Sequence, residues 1–203
     1  MADILIDNQA NPATPAAGKS LIYVDSTTKK LATEDDTGKV LGTLSRNWST
    51  ASQGAGFAAD TYVTNSGLLI PTAGMQVGMQ FRWMISLSKT AAGTAATVLQ
   101  FRIGSNQTTA DTSRLSLTAS IAQTAAIAEG LLIASLTVRS VSASGVIAGG
   151  FGMAASVGLG GGKDGVSATF DNSALAGQYV GISVNGGASA AWTITSVQAE
   201  LVG

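Results

Sequence analysis

MQFRWMISLSK, residues 79–89, decides the fold class. Met79, Phe81, Trp83, Ile85 and Leu87 alternate with Gln80, Arg82, Met84 and Ser86, and Lys89 follows. A period of two is the mark of a strand with one face on a core and one on solvent. Outward from this stretch the pattern repeats. Leu99, Phe101 and Ile103 alternate with outward-facing Gln100 and Arg102, and Leu115, Leu117, Ala119 and Ile121 form another series. Further strands are expected over Leu131–Val141, Val146–Ala154, Val166–Phe170, Gln178–Val184 and Ala191–Leu201. Clusters of Gly, Ser, Asn and Asp between them mark turns, at 65–67, 104–107, 158–165 and 185–187. In the last strand the apolar phase moves from Trp192 and Ile194 to Val197, Ala199 and Leu201, which calls for a bulge or bend. The best helical pattern, within 118–129, competes with a strand there. The expectation is an all-β chain folded as an antiparallel β-sandwich, with the jelly roll as the leading topology.

The N-terminal quarter is different. About half of the charged side chains fall in residues 1–47, and the rest of the chain is nearly uncharged. Residues 1–19 combine a small apolar patch (Ile4, Leu5, Ile6) with Pro12, Pro15 and small residues, a composition that favours an extended arm. Residues 20–47 hold short strand candidates at 20–25 and 29–35 and a third after the turn at 36–38, a small hairpin module. The sandwich body is then 48–203.

Composition excludes several kinds of chemistry. The 203 residues include no histidine and no cysteine, and only 11% are charged. Metal sites of His and Cys and triads built on imidazole are therefore ruled out, and no catalytic residue, metal ligand or cofactor is assigned. Asp60, Asp111, Asp164 and Asp171 are isolated carboxylates whose spacing brings no two together, so an enzyme is not expected. The one acidic run, Glu34 to Asp36, lacks a calcium loop's alternating ligands and fits a solvated turn. GLGGGKDG, residues 158–165, departs from a phosphate loop because Asp164 stands where a magnesium-binding Ser or Thr is needed. A net charge of −1 gives no counterion release on nucleic acid, and the apolar runs are too short or too rich in Gly and Ser to span a bilayer. The N-terminus has no secretory pattern, in keeping with synthesis in a cytoplasm. Low charge and a mean hydropathy of +0.31 favour self-association.

Two sequences, Asn47-Trp48-Ser49 and Asn106-Gln107-Thr108, match the glycosylation pattern and are taken as chance. Tyr62, Trp83 and Trp192 suit either a sugar-stacking platform or the core. Trp83, in phase with Phe81 and Ile85, is assigned to the interior, where its N–H should find a carbonyl.

NPATPAAGKSLIYVDSTTKKLATEDDTGKV, residues 11–40, resembles a segment of many tailed-phage virion proteins. NWSTASQGAGFAADTYVTNSGLLIP (47–71) and VGMQFRWMISLSKTAAGTAA (77–96) are similar to modules of head decoration and tail-fibre proteins. The resemblance covers roughly the first half of the chain. It implies a capsid decoration (cement) protein on the virion surface, a homotrimer bound to the major capsid protein. The alternative it leaves is a tail-fibre or tail-tip adhesin whose loops at 158–165 and 185–187 bind host glycans. Ile4, Leu5, Ile6, Pro12, Pro15, Tyr23, Lys29 and Lys30 are the candidate shell-contact residues, because a weakly gripping arm is strengthened when several are tied together by one oligomer.

Overall fold

A computed structural model describes residues 8–9, 13–25, 31–34, 40–41, 46–71, 74–90, 93–155, 159–187 and 192–202. Among these residues every regular element is a strand. Strands β1 (Asn8–Gln9), β2 (Leu21–Asp25), β3 (Leu31–Glu34) and β4 (Val40–Leu41) form a four-stranded sheet in chain order. β1 runs parallel to β2, with Asn8 opposite Val24, and the other pairs are antiparallel. Part of the expected arm is therefore a strand of the small module's own sheet.

Two antiparallel sheets make the body, so the fold is an all-β sandwich. The larger is seven-stranded. Its order is β14 (Lys163–Val166), β13 (Val146–Ala155), β12 (Ala128–Ser140), β9 (Gln80–Lys89), β16 (Trp192–Val202) and β5 (Arg46–Ser49), with β6 (Gln53–Gly56) also on β16. The smaller is five-stranded. Its order is β11 (Thr112–Thr118), β10 (Val98–Gly104), β15 (Tyr179–Asn185) and β7 (Thr61–Tyr62), with β8 (Leu68–Leu69) on β15. Arg46 and Asn47 thus belong to the body, since β5 pairs with β16.

The alternation in residues 79–89 is realised in β9. Phe81, Trp83, Ile85 and Leu87 are buried between the sheets while Arg82 and Met84 are exposed. Trp83 donates its indole N–H to the Ser66 carbonyl at 2.7 Å, which satisfies the one polar group the ring takes inside. Its ring meets Phe101 of the facing sheet at a centroid separation of 5.5 Å. Gly149 on β13 leaves room for the Phe101 ring, because an added Cβ would come within 2.9 Å of both Phe101 and Leu136. The expected bulge in the last strand is present. Register against β9 shifts between Ile194 and Ser196, leaving Thr195 as the additional residue, so Trp192 and Ile194 before it and Val197, Ala199 and Leu201 after it all face the core.

Several expectations are corrected. Residues 119–127 form no helix and no strand, and Ile121 is 65% exposed instead of continuing the β11 series. That segment is held by backbone bonds to the Gly-rich loop, Ser120 N–H to the Gly162 carbonyl at 3.1 Å and Gly161 N–H to the Ile121 carbonyl at 3.1 Å, so the Gly161 amide is already used. Gly162 has to be glycine, as a Cβ there would strike the Phe151 carbonyl. The strand expected over 166–170 lies earlier, as β14, and Phe170 makes only an isolated bridge to Gly145. Glu34 is buried in β3 and not in a solvated turn, while Asp35 and Asp36 lie outside the described residues. Lys89 continues the inward phase of β9 and is 1% exposed. Its ammonium donates to the Thr124 and Ala126 carbonyls at 2.5 and 3.3 Å, and desolvation lowers its pKa below the usual lysine value.

Candidate functional site: an exposed aromatic groove

Strand register sets out the outer face of the seven-stranded sheet in rows. Trp48, Gln198, Met84, Ile133 and Gly152 lie side by side across β5, β16, β9, β12 and β13. The next row, two residues along, holds Glu200, Arg82, Ser135, Gly150 and Asp164. Because their chain neighbours Trp83, Ala134 and Ala199 face the core, these residues face away from it. Trp48 is 77% exposed, and Met84 and Ile133 are each 45% exposed. Val202 and Val166, in the row beyond, are also exposed.

A groove of about 530 Å³ runs between these side chains, lined by Trp48, Arg82, Met84, Ile133, Gln198 and Glu200 among others. Its polar groups carry both signs: Arg82 and Glu200 are register partners, and Arg82 also donates to the Gln80 amide oxygen at 2.6 Å. On the β13 side the floor falls away at Gly150 and Gly152, where no side chain rises. Asn47 anchors the opposite edge by donating its side-chain amide to the Gly67 carbonyl. That bond occupies the nitrogen a glycosylating enzyme would modify.

A second polar cluster lies on the outer side of the five-stranded sheet. Arg102 points away from the core, as its phase requires, but it is 8% exposed and not solvated. It donates to Ser183 Oγ at 2.7 Å, to the Thr109 and Asp111 carbonyls at 2.8 and 2.6 Å, to Gln100 at 3.2 Å and to the Asp60 carboxylate at 2.5 Å. Asp111 accepts the Asn106 and Gln107 amides at 2.9 and 2.8 Å and so folds the 104–111 turn over the guanidinium. Arg102 thus meets Asp60 through its carboxylate and Asp111 through its backbone carbonyl, while the Asp111 carboxylate serves the turn. Burial pushes the Tyr62 phenol above its usual pKa, with the Asp111 charge adding to the rise. Every donor of the arginine is used internally, so this side chain pins loops.

Of the candidate shell-contact residues, Ile4, Leu5, Ile6, Pro12, Lys29 and Lys30 lie outside those whose side chains are described. Pro15 is half-buried. Tyr23 is 2% exposed, with Leu21 packed against it, so its ring is the interior of the small sheet and not a contact surface. The outward residue in that strand is Ile22, at 57% exposure. Strand alternation explains the exchange, because an aromatic inside leaves its neighbour outside. Of the three sugar-platform candidates, Trp83 and Trp192 are both 1% exposed and Tyr62 is half-buried, and Trp192 donates to the Gln123 side chain at 2.9 Å. The exposed aromatic is Trp48, which the sequence reading passed over inside a glycosylation match. The loops at 159–165 and 185–187 are tied into the body: the Gly161 N–H bonds the Ile121 carbonyl at 3.1 Å, the Gly186 N–H bonds the Phe57 carbonyl at 2.7 Å, and Gly187 closes an Asx turn on Asn185 at 2.7 Å. Among the described residues, no three His, Cys, Asp or Glu side chains come together as a metal-binding group.

No family model and no curated protein matches the chain. Among solved structures, a legume lectin-like domain from Entamoeba histolytica is similar at 11% identity, covering 75% of this chain and 89% of that one, with a TM-score of 0.22. A likeness at that level carries no argument about fold or ligand, and the sandwich rests on the strand pairing itself.

Proposed function

We propose that this chain is a non-catalytic structural component of a tailed-phage particle, a decoration protein whose N-terminal module attaches to the capsid and whose body is displayed outward. The N-terminal sheet carries the reading. Residues 11–40, which resemble phage virion segments, supply β2–β4, and these strands pair with one another and with β1 instead of with the body sheets. The strands are two to five residues long, and Tyr23 is the buried hydrophobic side chain they provide among the described residues. Ordering backbone costs about 1–2 kcal/mol per residue, which so little burial offsets poorly. A module of this kind gains its stability from the surface it docks on, and Ile22 presents apolar area for that contact.

The body contributes assembly. Its chain passes back and forth between the sheets from β9 to β16 in a jelly-roll-like path, and its low charge lets copies approach closely. A homotrimer would hold several modules over the major capsid protein at once, so that weak contacts add into firm attachment. The protein would be made in the host cytoplasm and join the shell there. Gold labelling of particles with an antibody to the body should mark heads. Full-length protein carrying Ile22→Asp should remain folded and compete poorly for heads stripped of decoration. Labelling confined to tails would replace this reading with the adhesin one, and absence from particles would remove both.

A further inference from the structure

The groove on the seven-stranded sheet is independent of shell attachment, since it lies on the body and not on the N-terminal sheet. We infer that it is a saccharide-binding site, taking a neutral oligosaccharide laid across the strands with a sugar ring against Trp48. The chemistry follows from what lines it. Trp48 leaves 77% of its surface in water on an edge strand, and Met84 and Ile133 continue the apolar floor at 45% each. A pyranose ring presents an apolar C–H face to such a surface and hydroxyls around its rim. Those hydroxyls both donate and accept. Gln198 does both, Arg82 donates and Glu200 accepts, all within the same groove.

Charge selects among ligands. Arg82 and Glu200, the two charged residues that line the groove, are register partners of opposite sign, so their charges offset each other and do not favour a phosphate or a polyanion. Backbone geometry excludes an added peptide strand, because β16, β9 and β12 lie inside the sheet with partners on both sides. Recognition must come through side chains. The row from Trp48 to Gly152 crosses five strands, a span of about 19 Å at the usual strand spacing, which suits a chain of several sugar rings better than a single one. The volume, about 530 Å³, falls in the ordinary range for ligand sites of roughly 300–1,000 Å³.

The test uses the full-length protein on an array of neutral and acidic oligosaccharides, including bacterial surface polysaccharide fragments, followed by fluorescence titration of the array hits. Trp48 is the one exposed tryptophan of the three, so binding should shift tryptophan emission while buried Trp83 and Trp192 stay silent. Trp48→Ala should weaken binding about tenfold, and Trp48→Phe should restore part of it. Gly152→Leu gives a second route, because an added Cβ there meets no atom within 4 Å and the side chain rises beside Ile133 at the β13 end of the row without disturbing the core. Wild-type protein that binds no array saccharide overturns the proposal, as does affinity unmoved by both Trp48→Ala and Gly152→Leu. Selective binding of acidic glycans overturns the neutral-ligand assignment. If Trp48→Ala dissolves an oligomer in sedimentation and no saccharide binds, the face is a contact between copies and the proposal falls. Head attachment by Trp48→Ala at the wild-type level separates this result from any failure of the decoration role.

Discussion

Trp192 donates its indole N–H to Gln123 Oε1 at 2.9 Å, and the same amide donates onward to the Ala95 and Gly186 carbonyls at 3.1 and 2.6 Å. One buried side chain thereby satisfies groups from the start of β16, the segment before β10 and the loop after β15. Gln123→Leu keeps the size but leaves the indole donor and the Gly186 carbonyl unpaired, while the Ala95 carbonyl keeps the backbone N–H of residue 123 at 3.3 Å. Each unsatisfied buried group costs about 1–3 kcal/mol, so a loss of at least about 2 kcal/mol is expected in urea unfolding, with the m-value unchanged.

Arg102 should be far less tolerant than Arg82. Removing one partner of a fully buried ion pair costs about 3–5 kcal/mol; Asp60 is 28% exposed, which lowers the share of the pair itself, but Arg102 is buried and also holds two backbone carbonyls. Arg102→Met is therefore expected to lower the denaturation midpoint strongly, whereas exposed Arg82→Ala should move it little. A double-mutant cycle with Asp60→Asn gives the coupling.

Gly181 lies under the Tyr62 ring, and a Cβ there would strike the phenol oxygen and come within 2.6 Å of Cζ. Gly181→Ala should destabilise by about 1–3 kcal/mol through overpacking. In a Tyr62→Ala background the same change should cost much less. Tyr62→Phe alone removes a buried hydroxyl with no protein partner and should be neutral or stabilising.

Lys89 and Tyr62 give opposite slopes at alkaline pH. The folded pKa of Lys89 is below 10.5, so the unfolded chain binds more protons between the two values and stability rises with pH through that window. The folded pKa of Tyr62 is above 10.0, so its contribution is intact below that pH and is lost as pH rises beyond it. Chemical denaturation from pH 8 to 11 should show Lys89→Met removing the rising component and Tyr62→Phe removing the falling one. Identical slopes in the two variants would contradict the assignment.

The sequence made the layer architecture legible because alternation reports burial directly. Residues 81–87, 99–103 and 115–117 alternate without interruption, and the three-residue step from Ile194 to Val197 announced a bulge that register confirms. What failed to show were side chains whose burial contradicts their polarity. Lys89 sits in the inward phase of its own strand, yet an ammonium is assigned to solvent until Thr124 and Ala126 are known to lie beside it. Arg102 is covered by a turn that Asp111 folds from nine residues away. The groove was invisible for a related reason. Trp48, Gln198, Met84 and Ile133 are far apart in the chain, and only pairing across strands makes them neighbours.

The odd spacing in β16 also sets where the chain can change length. Pairing with β9 is continuous on both sides of Thr195, with Ile194 opposite Leu87 and Ser196 opposite Ser86. Excising Thr195 alone would straighten the pleat and keep both halves in step. Taking out any residue from Val197 to Ala199 would instead turn the positions beyond it over, sending Leu201 to water and Glu200 toward the interior. Natural variants of this strand should therefore tolerate a one-residue gap at a single place.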